Sequence, residues 1–577
     1  MSQESNFPIQ KLLRLIYVHN PFYLISACLF VYGLKAFFRP DNMDFLYAAG
    51  SVGYIDPWYL MGSLCGVTLL MATTAYLIVR FGKVWEDARS LVLVLLLMFL
   101  AISVSFDEII ALVSFKSGSS LQAMGLMTFG GAFSIAVAEM LLRGLKIKLP
   151  IAFRVPLHAL LALFFAFPMW VCPEVTSASP EQARWRVAVF PTIAAMISLA
   201  LLPAIRLGSK SVQDNGTPWS WPWFPWSVFA FLGGAVVFRS YSLAISFDRA
   251  DARAHFWDSS FGLYFLIPVV LSTMILLLEV AIVEELHGLK ERLVRFAPAV
   301  LLLSYPWLGP WTRHVTYTRF AYEFVAEVGS PVFLTLLAML VFYAVAWWRQ
   351  IKHADLGVFG CLMALVFIGR SSFGASTFTP TVEHLHAWPL IALGAIWLKI
   401  GIGKRQTLAT FLGAIALSFS TGIMAIGTPL DSWKVSIAYH LIVLSTLVVG
   451  LCFKDSMARW LRRWASWLLT LSGSFCVAIV CARTMTAEIF AYSAVIAIAA
   501  LIAWRLCAER RFLFAALLNL SSSVLFGGIR SIHWVEQLTI PAGVTPLLWA
   551  AACFVVAVGI SSLKGGIAKR LVKQEET

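Results

Sequence analysis

Charge is what this chain has least of. Asp, Glu, Lys and Arg make up 13% of its 577 residues, where soluble domains carry about 25%. With 60% hydrophobic residues and a mean hydropathy of +0.82, a protein interior could not hide so much apolar surface, so lipid must cover it. Cysteine is sparse outside apolar runs. Of nine, only Cys172 falls near a predicted outer loop, and there is no CxxC, which argues against a disulfide framework. Long polar stretches are missing, so no loop can fold as a soluble catalytic domain. Familiar catalytic signatures are missing as well. GIGKRQT (401–407) is no P-loop, because Leu398 stands where the motif needs Gly. There is no Ser nucleophile elbow and no HExxH.

What is present is a succession of apolar runs. The hydrocarbon core is about 30 Å thick and a helix rises about 1.5 Å per residue, so windows of about 20 residues are candidate spans. Eighteen windows run from 22–38 to 546–563. Three of them (297–311, 357–370 and 513–527) are short, so sixteen to eighteen spans are expected. The fold class is therefore an all-α, polytopic membrane bundle.

Net charge is +14. It is dispersed over short loops rather than gathered into a basic patch, so it points to membrane orientation and not to nucleic acid. With the N-terminus inside, thirty of the 44 basic residues fall on the inner side, and the alternation persists from end to end. Both termini are then cytoplasmic. No small-x-small cleavage site follows the basic N-terminus, so the first run reads as a retained anchor. The organisation expected is a cytoplasmic or interfacial segment 1–21, a single multi-span domain 22–563, and a basic tail 564–577. LAISVSFDE (100–108) and LAISFDR (243–249) echo each other about four spans apart, a hint of the internal repeats found in transporters. Short loops and the basic bias suggest a bacterial cytoplasmic (inner) membrane.

Ionisable residues inside spans are costly, at roughly 2.5–3.5 kcal/mol each at mid-bilayer. Asp107 and Glu108 close the run LVLVLLLMFLAISVSFDE. Arg239 sits in the seventh span. At about 24 Å and about 20 Å above the inner face, these groups share a depth, so Arg239 is expected to meet Asp107 or Glu108. Neighbouring residues on a helix point about 100° apart, so only one acid needs to face the Arg. The alternative is a third span ending at Phe106, with both acids among the headgroups. Glu139 and Glu279 read as interfacial anchors, with Arg143 or Glu284 nearby, and His440 as a satisfied core histidine.

The predicted outer side carries Arg313, His314 and Arg319 in WTRHVTYTRFAYEF, His384 and His386 in TVEHLHAWP, and Arg530 and His533 in RSIHWVEQ. Arg beside aromatics suits an anionic or lipid-phosphate headgroup. The His spacing is generic, and no metal site is assigned. Asp41, Asp44 and Asp56 occupy the first outer loop. That loop resembles the acidic first outer loop of membrane glycosyltransferases that use lipid-linked sugars, whose acids bind metal or act as base. The large outer domain of those enzymes is missing, and the acids lack D-x-D spacing. NGTPWSWPWFPW (215–226) reads as an interfacial Trp-Pro belt opening the seventh span.

Three function classes follow. The first is a transporter or flippase of a small or lipid-linked solute, its site lined by the intramembrane charges. The second is a membrane-embedded transferase acting on a lipid-linked substrate at the outer face. The third is a non-catalytic sensor or scaffold. The partners implied are the lipid bilayer and a small-molecule or lipid substrate. No cofactor is indicated.

Overall fold

The computed structural model describes residues 22–37, 57–113, 120–172, 180–213, 215–221, 223–247, 262–304, 323–370, 385–481, 487–537, 550 and 553–554. All regular structure among them is helical. Ten of these helices are long and apolar enough to cross a membrane, and four shorter ones are also apolar. In hydrocarbon every backbone N–H and C=O must be satisfied within the segment, which helices do. Buried hydroxyls follow the same rule by bonding back one turn: Thr68 to the Leu64 carbonyl at 2.7 Å, Ser134 to Gly130 at 2.8 Å, Ser240 to Val236 at 2.7 Å. Large apolar side chains cover the outside. Leu70, Met196, Phe238 and Leu517 are all more than half exposed, as lipid-facing residues are.

The chain divides into two compact units, Met1–His386 and Ala387–Thr577. The first contains α1 (Phe22–Phe37), α2 (Pro57–Arg80), α3 (Trp85–Val113), α4 (Ser120–Gly144), α5 (Ile151–Val171) and α6 (Pro180–Leu199). It continues with α7 (Trp223–Phe247), α8 (Ile267–Val283), α9 (His287–Phe296), α10 (Pro331–Trp348) and α11 (Ala354–Phe367). Its centre is α3, whose membrane window is 67% buried because α1, α2, α4, α5 and α7 all pack on it. The core there is aromatic. Phe99, Phe106, Phe153, Phe164, Phe165 and Phe190 are fully buried, and Phe167 meets Phe190 edge-on at 4.9 Å. Gly130 and Gly131 let α4 approach α5; a Cβ on Gly130 would lie 2.8 Å from the Phe165 ring.

The second unit contains α12 (Ala387–Gly403), α13 (Thr407–Met424), α14 (Lys434–Cys452), α15 (Ser456–Cys481), α16 (Ala487–Cys507) and α17 (Arg510–Gln537). Gly394 and Gly413 face each other where α12 crosses α13; a Cβ on Gly413 would fall 2.9 Å from the Gly394 carbonyl oxygen.

One turn recurs. Lys83, Lys146, Glu285, Gln350 and Arg405 each follow a helix in the left-handed conformation, with φ between 53° and 58°. After Lys83 the N–H of Val84 reaches back six residues, to Ile78 at 3.4 Å; in the other four the next N–H reaches back five: Ile147 to Leu142 at 2.8 Å, Leu286 to Ala281 at 2.9 Å, Ile351 to Ala346 at 3.0 Å, Gln406 to Gly401 at 2.8 Å. This is the Schellman closure, which satisfies carbonyls the helix leaves open. It is made here with polar residues where Gly is usual. These turns join α2 to α3, α4 to α5, α8 to α9, α10 to α11 and α12 to α13.

Some segments differ from the hydropathy reading. Before the expected span 297–311 lies α9, HGLKERLVRF, too charged to enter hydrocarbon and apolar along one stripe as an interfacial helix is. Residues 297–304 then tighten into a 3₁₀ stretch, and 305–322 lie outside the described residues. α15 starts nine residues earlier than the apolar window, at Ser456, because Arg459, Arg462 and Arg463 continue its helix beyond the greasy part. α17 likewise runs on to Gln537.

Candidate functional site: two charge clusters in the first unit

Asp107 lies on α3 and Arg239 on α7, both with fully buried side chains. The guanidinium grips the carboxylate with both ends: Nη2 donates to Oδ1 at 2.8 Å, and Nη1 donates to Oδ2. Nη2 also donates to the Phe164 carbonyl of α5 at 2.9 Å, and Nη1 to Ser242 Oγ at 3.2 Å. Ser103, one helical turn before Asp107, donates to the same Phe164 carbonyl at 2.8 Å. That carbonyl is available because Pro168, inside α5, has no N–H with which to close the helical bond. Among the described residues the Arg239 Nε has no acceptor.

The helix answers one question the sequence left open. α3 continues through Phe106, itself fully buried, to Val113, so the helix does not break before the acids. Asp107 faces the Arg. Glu108 is on the same helix, and its side chain lies outside the described residues. Taking both ions out of water is expensive; a bidentate pair with further hydrogen bonds offsets that cost.

A second cluster surrounds Glu279, 3% exposed, near the end of α8. Arg349, the residue closing α10, donates from Nη2 to Oε2 at 2.5 Å and from Nε to Oε1 at 3.0 Å. Arg206, in the one-turn helix Leu202–Arg206 after α6, stands 3.5 Å away. Glu279 thus pairs with Arg349 and Arg206, and not with the neighbours expected from sequence. Glu284 instead accepts from the Trp221 indole N–H. Glu139 of α4 pairs with Arg143 at 3.2 Å and lies 3.4 Å from Arg154 and 3.3 Å from His158.

The two clusters lie at opposite ends of the unit. α3, α5 and α7 run parallel, since Val92, Leu157 and Val228 line one cleft while Asp107, Phe164 and Arg239 meet farther along. The Trp221–Glu284 bond places the start of α7 beside the end of α8, so α8 runs the other way. From that bond, Arg239 is about 27 Å along α7 and Glu279 only about 7 Å back along α8, a separation of about 20 Å.

In the second unit His440 donates or accepts at both ring nitrogens, with the Ser436 carbonyl and the Tyr492 hydroxyl, each at 2.6 Å. Of the outer-face candidates, Arg313, His314, Arg319 and His384 lie outside the described residues, as do Asp41, Asp44 and Asp56. The backbone N–H of His386 donates to the Val366 carbonyl at 2.9 Å. Arg530 and His533 are carried by α17, with side chains outside the described set. Among the described residues no group of three or more His, Cys, Asp or Glu is placed to hold a metal.

Sequence reasoning missed Phe164, Ser103, Arg349 and Arg206. Pro168 inside an apolar run was a signal for the first, because a proline four residues on frees a carbonyl. The two arginines were counted only as loop cations. No family model matches this chain, and neither does any curated protein or solved structure.

Proposed function

We propose that this multi-pass membrane protein is a transporter or flippase of a small or lipid-linked solute, with the two charge clusters as its gates. The observation that carries this reading is their placement. Asp107–Arg239 ties α3, α5 and α7 near one end of the first unit, and Glu279–Arg349–Arg206 ties α8 and α10 to the turn after α6 near the other. Alternating access needs contacts that open at one end while the other stays closed, and ion pairs that exchange protein partners for water suit that use. In this reading both termini are cytoplasmic, about eighteen spans cross a bacterial inner membrane, and the Lys/Arg-rich Glu279 end faces the cytoplasm.

The test joins α3 to α7 covalently. Asp107→Cys and Arg239→Cys are combined in a background without other cysteines and reconstituted in vesicles. A panel of small solutes and a headgroup-labelled phospholipid report movement. Oxidation should stop movement of whichever probe the wild type moves, and reduction should restore it. Movement unaffected by the crosslink, or none of any probe by folded wild type, would overturn the proposal.

A further inference from the structure

The guanidinium of Arg239 has five N–H donors, and their partners divide by helix. One N–H on each Nη holds Asp107, which belongs to α3. The second N–H of Nη2 goes to the Phe164 carbonyl of α5 at 2.9 Å, and that of Nη1 to Ser242 Oγ of α7 itself at 3.2 Å. The fifth, on Nε, is buried and has no acceptor among the described residues. Arg239 is therefore seated by α5 and α7 independently of α3. Ser103, which shares the Phe164 carbonyl, is on α3, so a departing α3 takes the competing donor with it.

Parting α3 from α7 thus frees two neighbouring N–H groups on a cation that stays in place. The consequences for the two ions differ. A carboxylate without a partner can shed its charge by taking a proton from water, whereas a guanidinium stays charged. An unpaired cation inside a membrane is costly, and Arg239 is fully buried. At the other cluster the cations Arg349 and Arg206 are exposed, so release of Glu279 seals neither of them in. Of the two clusters, the one at Arg239 is the one that needs a replacement anion when it opens. The freed pair of N–H groups matches two oxygens of a carboxylate or a phosphate, and Nε offers a third donor.

We propose that the solute carries an oxyanion, a carboxylate or a phosphate, and that this group replaces Asp107 on Arg239 when α3 and α7 separate. The proposal rests on the transport reading and adds to it the charge of the cargo. Arg239 is then the binding residue, Phe164 and Ser242 position it, and Asp107 is a built-in competitor that closes the site.

The full chain is reconstituted in phosphatidylcholine vesicles and given matched probes. Glycerol phosphate is set against glycerol and choline, succinate against succinamide, and headgroup-labelled phosphatidylglycerol against an uncharged glycolipid. An anionic probe should move and its uncharged or cationic counterpart should not; the soluble and lipid pairs tell which source bears the oxyanion. Arg239→Lys keeps the charge without the fork and should raise KM for that anion about tenfold. Asp107→Asn weakens the competitor and should lower KM, a change that a merely structural ion pair would not produce. Asp107→Leu with Arg239→Met should abolish movement of the anion. If the single variants fail to fold, the selectivity of the wild type and the double variant still decide. Movement of uncharged or cationic probes alone, stopped by the α3–α7 crosslink, would overturn the oxyanion and leave the transport reading standing. Undiminished anion movement in the double variant would overturn the site at Arg239. A folded wild type that moves no probe would overturn the transport reading and this inference with it.

Discussion

Phe164 gives its backbone carbonyl to Arg239 at 2.9 Å, a bond the helix leaves open because Pro168, four residues on, has no N–H to claim it. A proline in one helix therefore helps to seat an arginine from another. The carbonyl accepts from Ser103 as well, so three helices converge on a single peptide group. An arginine alone in hydrocarbon is costly; here a carboxylate, a freed carbonyl and Ser242 surround it, and through them it braces three helices.

Removing one side of this brace should be severe. Arg239→Ala leaves Asp107 buried without its cation and is expected to destabilise the folded protein by about 3–5 kcal/mol. Replacing both residues with apolar ones of similar volume, Asp107→Leu with Arg239→Met, should recover most of that loss. Unfolding in mixed micelles by denaturant measures both. A loss near zero for the single variant would place Arg239 in water.

Ser103 and Pro168 give a finer test of the shared carbonyl. Ser103→Ala should cost about 1 kcal/mol. Pro168→Ala restores the N–H that the helix can direct at Phe164, so the carbonyl gains a competing donor. In that background the cost of Ser103→Ala should shrink. A double-mutant cycle reads the coupling directly, and strictly additive costs would remove Pro168 from the account.

Salt should separate the two clusters. Glu279 is 3% exposed, but its partners Arg349 and Arg206 are 33% and 54% exposed, so counter-ions reach that pair and screen it. Asp107 and Arg239 are sealed. The destabilisation from Glu279→Gln should therefore be smaller than that from Arg239→Ala, on the order of 1–2 kcal/mol, and should diminish as sodium chloride rises from low to molar. That from Arg239→Ala should stay constant. Melting temperature against salt concentration for the two variants checks this.

How much of this was legible in the sequence depends on the kind of signal. Apolar windows located the helices, since only a helix satisfies its own backbone in oil, and equal depth singled out Arg239 and an acid on α3 as partners. Which acid faced the arginine could not be read, because that depends on how α3 is rotated against α5 and α7. Arg349 and Arg206 were hidden for the opposite reason: a cation at a helix end looks the same whether it meets water or reaches back to a buried carboxylate. The start of the expected span 297–311 is a 3₁₀ stretch rather than an α-helix, which a hydropathy window cannot tell apart because it registers apolar content alone. The boundary between the units at His386 was not legible, because apolar spans continue on both sides of it in the sequence.

The second unit offers a test of packing without charge. Asn519 on α17 donates from Nδ2 to the Leu469 carbonyl of α15 at 3.1 Å, and Ser493 on α16 donates to the Asn519 carbonyl at 3.3 Å. This polar seam fits because Gly473 leaves room: a Cβ there would run into the Asn519 side chain. Asn519 is fully buried and cannot swing into water to make way. Gly473→Ala should then push α15 from α17 and break the Asn519 bond, at about 1–3 kcal/mol. Adding Asn519→Ala to Gly473→Ala relieves the clash, so the pair should cost less than the sum of the single changes. Additive losses in thermal unfolding would mean that the glycine serves the helix for some reason other than contact with Asn519.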